Sequence, residues 1–200
     1  MTRLILVRHA LTEDNQNNRL SGHIDSKVSI EGKKQIDKIT TFFKEIYIDN
    51  IYTTTSSRTK DTVYEIAKLK NISIIEKDAL KEISFGDFEG MDFEYIKLNY
   101  PEEFQKMIEL GYEYKYPNGE SLIDSYNRVS TEIDKIILDN KDNTVLICSH
   151  GGTIRNVITH LITNSYKYHW NFKIDNASVT ILDIEDGFTV INTLNNKNFI

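Results

Sequence analysis

Two spacings of apolar residues alternate along the chain. Residues 3–7 are a nearly unbroken apolar run, the pattern of a central strand covered on both faces. From Ser29 onward, Ile30, Ile36, Ile39, Phe43 and Ile46 recur near helical spacing. Residues 50–55 then read as a short β-branched strand. Ser57 is placed to cap a helix reaching about Leu69, with Val63, Ile66, Ala67 and Leu69 as its inner face. Residues 72–75 read as another strand, residues 144–148 as a second buried strand and residues 153–162 as a helix. Ser121 with Asp124 forms a capping-box pattern that opens a helix over about 121–139. Residues 178–184 and 188–194 predict a closing hairpin around Glu185-Asp186-Gly187.

Two stretches break the alternation. Residues 8–28 are polar, contain Gly22 and read as a long loop. Residues of about 91–118 are aromatic and charged, with two short helical patterns, and read as an insertion over the sheet edge. Strands alternating with helices predict one α/β domain spanning residues 1–200, with a mostly parallel sheet.

Composition narrows the function classes. Net charge is −6 and no basic run stands out, which argues against a nucleic-acid surface. The apolar runs are too short to cross a membrane or to form a signal-peptide core. One cysteine, Cys148, excludes an internal disulfide framework and fits a reducing cytoplasm. The expected partner is a small molecule, and the expected state a monomer or homodimer.

In open α/β sheets the working groups lie beyond the carboxyl ends of the strands. Four segments meet that rule. The first strand ends on Arg8-His9, and the second leads into Arg58. A later loop places Glu82 before Phe85-Gly86, and the buried strand ending at Cys148 delivers Ser149-His150-Gly151-Gly152. One such residue reads as a solvated loop side chain; four at corresponding places point to a site. The chain holds six arginines, at 3, 8, 19, 58, 128 and 155, and three of them fall in these segments. A neutral imidazole is a nucleophile near neutral pH. Guanidinium groups suit the negative charge on a transferring phosphoryl group. A carboxylic acid such as Glu82 can protonate a departing alkoxide.

Taken in order, the segments "LVRHALTEDN", "SSRTKDT", "LKEISFGDFEG", "PNGES" and "VLICSHGGTIRN" resemble the histidine phosphatase superfamily, founded on the cofactor-dependent phosphoglycerate mutases. The resemblance runs over nearly the whole chain. It implies a three-layer α/β/α sandwich of phosphoglycerate mutase-like fold, with no metal and no cofactor. It implies that His9 is phosphorylated during turnover, that Arg8, Arg58 and His150 form the phosphate pocket, and that Glu82 is the proton donor. Thr12 and Asn15 match a Thr-x-x-Asn pattern lining that pocket, and Ser21, Gly22, His23 and Gly151 complete the expected phosphate- and substrate-binding set. Ala10 departs from the family's usual glycine, and is expected to fit if its backbone lies in an ordinary region.

Within the family, mutases carry an arginine directly after the glutamate and an arginine pair in the insertion. Here Ile83 follows Glu82, and residues 91–120 contain only Lys97, Lys106 and Lys115 as cations. The phosphatase branch is therefore expected: hydrolysis of a small phosphorylated metabolite through a phosphohistidine. The segments "LSGHIDSKVS" and "WNFKIDNASVTILDI" most resemble the α-ribazole phosphatases of cobalamin assembly. The alternatives are a phosphoglycerate mutase and a silent member that only binds a phosphorylated ligand or a partner.

The remaining candidates have plainer readings. His160, His169 and Trp170 are expected to serve packing or the surface. Six residues intervene between Cys148 and Arg155, one more than a cysteine phosphatase requires, and Cys148 is expected to be a buried, inert thiol. The aromatic residues between Phe85 and Tyr116 are expected to form a small core under the insertion, or in part to stack on a substrate ring.

Overall fold

A computed structural model of the chain describes residues 1–199. Strands β1 (Thr2–Arg8), β2 (Asn50–Thr53), β3 (Ile74–Glu76), β4 (Thr144–Ser149), β5 (Val179–Glu185) and β6 (Phe188–Asn196) form one sheet in the order β3-β2-β4-β1-β5-β6. The first four are mutually parallel, while β5 runs antiparallel to β1, and β6 to β5. The sheet is thus mixed, parallel in its catalytic half and closed by the expected hairpin. Asp186 and Gly187 turn that hairpin with positive φ at both positions (49° and 78°), as a type I′ turn requires.

Helices are α1 (Glu13–Gln16), α2 (Ile30–Phe42), α3 (Ser57–Lys70), α4 (Phe93–Asn99), α5 (Pro101–Leu110), α6 (Leu122–Asp139) and α7 (Gly151–Thr163). Side chains alternate across a strand, and this divides the core in two. Leu4 and Leu6 of β1 join Val145 and Ile147 of β4 under Val129, Ile133, Val157 and Ile158 of α6 and α7. Ile5 and Val7 join Leu146 and Cys148 under Ile39, Val63, Ile66 and Ala67 of α2 and α3. The expected three layers are present. No helix among the described residues is long and apolar enough to cross a membrane.

Several local expectations are corrected. Ile30 is 79% exposed and Leu69 46% exposed, so neither belongs to an inner face. At about 3.6 residues per turn, Ile30 falls on the face of α2 opposite the buried Ile39, and Leu69 falls to one side of the buried Val63, Ile66 and Ala67 stripe. Ser57 is the first helical residue of α3 and not its cap; the cap position is Ser56, whose side chain makes no capping bond. The carboxylate of Asp25 accepts instead from the Ser57 backbone N–H and hydroxyl. The long loop contains α1, capped by Thr12. β3 starts at Ile74, two residues later than predicted, as a short edge strand. The insertion does not cover a sheet edge. Ile96, Phe104 and Met107 pack on Leu20, Phe85, Phe88 and Met91, which places α4 and α5 over the loops at the carboxyl ends of the strands.

The capping box of α6 is as expected: Ser121 Oγ accepts from Asp124 N at 3.0 Å, and Asp124 Oδ2 accepts from Ser121 N at 3.1 Å. Ser121→Ala should lower unfolding free energy by about 1 kcal/mol and Tm by roughly 2–4 °C for a chain of this size. Denaturant titration with an unchanged slope checks this. No measurable shift would mean that Asp124 alone carries the cap.

Candidate active site

β1 and β4 pair in parallel register with Arg8 opposite Ser149. The next residues on each strand, His9 and His150, therefore leave the sheet side by side, their rings 5.2 Å apart between centroids. Both are buried. His9 Nδ1 lies 2.8 Å from the Ala10 carbonyl oxygen. A carbonyl only accepts, so Nδ1 carries the proton and Nε2 keeps a free lone pair. His150 Nδ1 accepts from Arg58 Nε at 3.2 Å, which puts its proton on Nε2, 3.3 Å from Thr54 Oγ1. Burial, followed by the nearby arginine charges, holds both imidazoles well below their ordinary pKa and therefore neutral. Ala10 is buried, is not at positive φ, and donates its N–H to Thr62 Oγ1. Its methyl group needs none of glycine's freedom.

Arg58 opens α3 and is only 1% exposed. Besides His150, its guanidinium donates to the carbonyls of Ile24, Ser21 and Gly22 at 2.8–2.9 Å. Four of its five N–H groups are thus used, none on a carboxylate. Arg8 donates Nη1 to the Ile174 carbonyl, while its buried Nε has no partner among the described residues. Burial pulls both guanidinium groups below their usual pKa, but a guanidinium remains charged at any working pH. An orphaned, buried, charged donor beside two neutral imidazoles is a place for an anion. The N-terminus of α7 adds its own N–H groups there. Gly151 lets that helix start close to Arg8: a Cβ at 151 would lie 3.3 Å from the guanidinium carbon.

Glu82 enters from the loop after β3. Its Oε2 accepts from Gly152 N at 2.9 Å and its Oε1 from Ile83 N at 3.1 Å. A side chain at 152 would collide with the Glu82 carboxylate, so the second glycine of the pair is a condition of this contact. Arg128 of α6 holds the same loop through the carbonyls of Ala79, Lys81 and Glu82, while Glu120 grips Arg128 with both oxygens.

The other sequence-predicted residues divide into two groups. Ser21 and Gly22 face Arg58 through their carbonyls. His23 is exposed and its Nε2 lies 3.1 Å from the Glu82 carbonyl. Gly151 lies against Arg8. Thr12 is fully buried and caps α1, its Oγ1 accepting from Asn15 N. Asn15 Oδ1 accepts from Asn176, which also donates to the His9 carbonyl. Cys148 is buried, as expected, and burial pushes its thiol pKa up.

Sequence reasoning assigned nothing to Asp25, Glu89, Glu120, Arg128 or Asn176, whose work is on backbone. Glu89, for example, accepts from the backbone N–H groups of His23, Ile24 and Phe85. It lies inside the quoted segment "LKEISFGDFEG", but nothing in the string tells a loop clamp from a solvated carboxylate. Beside Glu82 opens a cavity of about 530 Å³, lined by Phe85, Tyr112, Tyr114, Tyr116, Arg155 and Trp170 among others. Trp170 is 63% exposed with Arg155 over its ring, and buried His169 also lines the cavity. The exposure of Trp170 corrects the packing role expected for it, whereas the buried His169 agrees with one.

With this geometry in place, the relatives of the chain can be compared. A phosphoserine phosphatase 1 from Hydrogenobacter thermophilus is 34% identical over 195 residues, covering 98% of this chain and 92% of its own. The crystal structure of an α-ribazole phosphatase from Shigella flexneri superposes with a TM-score of 0.92 at 23% identity, over 97% of this chain and 96% of that one. A phosphoserine phosphatase from Entamoeba histolytica, solved with phosphoserine, superposes with a TM-score of 0.85 at 27% identity over 100% of both chains. The model of the histidine phosphatase superfamily (branch 1) matches residues 4–197, and the chain belongs to that superfamily.

Proposed function

We propose that this phosphatase hydrolyses a small phosphate monoester through a phosphohistidine formed at His9 Nε2. The observation that carries the reading is the Nδ1–H···O=C bond from His9 to Ala10, which aims a neutral Nε2 lone pair into a pocket of unpaired arginine charge. In the first step Nε2 forms a bond to phosphorus and the ester P–O bond breaks. The Glu82 carboxyl gives its proton to the departing oxygen. In the second step water attacks phosphorus, Glu82 takes its proton, and the P–N bond electrons return to Nε2. Arg8 and the free Arg58 N–H hold the phosphoryl oxygens as charge builds on them.

Hydrolysis is favoured over transfer to a second acid because Ile83 follows Glu82 and residues 91–120 supply no arginine to hold a product for reorientation. Two physiological esters are in play. α-Ribazole 5′-phosphate is supported by the aromatic lining of the cavity and by the α-ribazole phosphatases among the structural neighbours. Phosphoserine is supported by the sequence relative and by the Entamoeba complex.

Three outcomes are expected. His9→Ala should lower turnover by roughly 10³-fold or more, and acid-labile phosphate trapped during wild-type turnover should map to residue 9. Label on Cys148 or on a serine would overturn the mechanism. The second outcome concerns pH. A base with a depressed pKa stays unprotonated as pH falls through its ordinary value. Once the ester's own ionisation near pH ~6 is accounted for, kcat/KM should therefore show no enzyme-derived acid limb at about pH 6.5. A limb there that tracks His9 would show that the buried imidazole is not held neutral. Finally, a paired assay on one preparation should give phosphate release faster than interconversion of 3- and 2-phosphoglycerate. Interconversion ahead by about tenfold, roughly 1.4 kcal/mol in barrier, would place the enzyme among the mutases.

A further inference from the structure

The six arginines fall into two sets of three. Arg3, Arg19 and Arg128 each pair with a carboxylate, from Asp183, Asp14 and Glu120 respectively. Arg8, Arg58 and Arg155 pair with none among the described residues. For Arg8 and Arg58 the missing anion is the phosphoryl group of the proposed reaction. Arg155 needs another explanation. It is partly buried, donates Nε to the Phe172 carbonyl at 2.8 Å, and stands over the Trp170 ring at 5.1 Å. Its other four N–H groups have no hydrogen-bond partner among the described residues, and it lines the cavity beside Glu82.

Resting on the hydrolase reading, we propose that Arg155 anchors a carboxylate carried by the leaving group, so that the substrate is the phosphate ester of a small hydroxy acid. Gly152 and Arg155 stand three residues apart on α7, hence on one face. Gly152 N holds the Glu82 carboxyl group, which in the proposed reaction protonates the leaving oxygen. The rest of the leaving group must extend from that point into the cavity. Three residues of helix rise about 4.5 Å, a reach matched by a carboxylate about three bonds from the ester oxygen. A planar guanidinium with free N–H groups is suited to a carboxylate in bidentate contact.

A second group in the cavity fits the same ligand. Asn156 Nδ2 donates to Ser125 Oγ, so its Oδ1 is the acceptor for His169 Nδ1–H at 2.8 Å. That leaves His169 Nε2 as a lone-pair acceptor. Burial and then the Arg155 charge lower the His169 pKa to about 3, so the ring stays neutral and remains an acceptor. One cation and one neutral acceptor suit a carboxylate with an adjacent amine or hydroxyl. Leaving groups with no anion would leave Arg155 desolvated and unmatched.

The test compares 3-phosphoglycerate and L-phosphoserine with glycerol 3-phosphate, which replaces the carboxylate of 3-phosphoglycerate by a neutral CH₂OH. Wild type should prefer the carboxylate esters by about tenfold or more in kcat/KM. Arg155→Met should collapse that preference toward unity, chiefly through KM, and Arg155→Lys should keep part of it. Absence of the preference in wild type, or its survival in Arg155→Met, would overturn the assignment. Should the Met variant fail to fold, Arg155→Lys carries the test, since an unchanged preference there would equally deny a role for guanidinium geometry. Phosphohistidine trapping from p-nitrophenyl phosphate reads the hydrolase mechanism separately. If it succeeds while the preference does not move, only the Arg155 assignment falls.

Discussion

Positive charge buried without a counter-ion governs the architecture at the carboxyl ends of the strands. Arg58 is enclosed, and its guanidinium must find acceptors or carry a severe desolvation penalty. A paired carboxylate would solve that problem and compete with the phosphoryl group. The chain uses backbone carbonyls instead, from Ser21, Gly22 and Ile24. This choice propagates outward. The loop bearing those carbonyls must fold over the guanidinium and stay there, and the available carboxylates are spent on fixing it. Glu89 takes the N–H groups of His23 and Ile24, and Asp25 ties the loop to the first turn of α3. Gly22 is small because the Ile83 carbonyl and Glu89 crowd the place where its side chain would be. The acidic side chains nearest the pocket thus face amides, and its charge is left for the substrate.

The two imidazoles are held by the same logic. A histidine beside arginines can be neutral yet useless if its proton sits on the wrong nitrogen. His9 is set by a carbonyl, which accepts only, and His150 by a guanidinium N–H, which donates only. Neither partner titrates in the working range, so the tautomers are opposite and permanent: a free Nε2 lone pair on one ring, an Nε2–H on the other. Glu82 is positioned just as indirectly. Arg128 grips its backbone carbonyl and is itself paired with Glu120, leaving the Glu82 carboxyl to the amides of Ile83 and Gly152.

What was legible in the sequence follows from how local each signal is. Strand runs such as residues 3–7, the Ser121–Asp124 cap and the Asp186-Gly187 turn depend on neighbours within a few positions, and the fold keeps them. The convergence of Arg8, His9, Arg58, Glu82 and His150 was readable from one rule about strand ends together with ordered motifs. Features that depend on tertiary partners were not readable. Ser57 looks like a cap, but Asp25, distant in sequence, satisfies that turn. Loose helical spacing includes Ile30 and Leu69, although at about 3.6 residues per turn neither falls on the buried stripe of its helix. Trp170 reads as packing until Arg155 is seen above it. Glu89 and Arg128 are invisible as functional supports because their partners are backbone groups, which leave no trace in residue type.

The site also separates two kinds of recognition by where they are built. The residues of the proposed phosphoryl pocket come from strand ends and the first turns of α3 and α7. That apparatus is the same for any phosphate monoester, because the group it handles is the same. The leaving group meets other elements: the insertion at Tyr112 to Tyr116, the second turn of α7 at Arg155, and the segment at His169 and Trp170. The insertion and the segment at His169 and Trp170 lie outside the two sheet-facing cores, as does Arg155 itself, although Val157 and Ile158 of the same turn belong to one. This accounts for solved neighbours of this chain that superpose over nearly its whole length while bearing the names of phosphatases for different esters. In this chain the polar groups that line the otherwise largely apolar cavity include Arg155 and His169, and groups of that kind, rather than the shared catalytic motifs, are where phosphatases of one fold can differ in the ester they take.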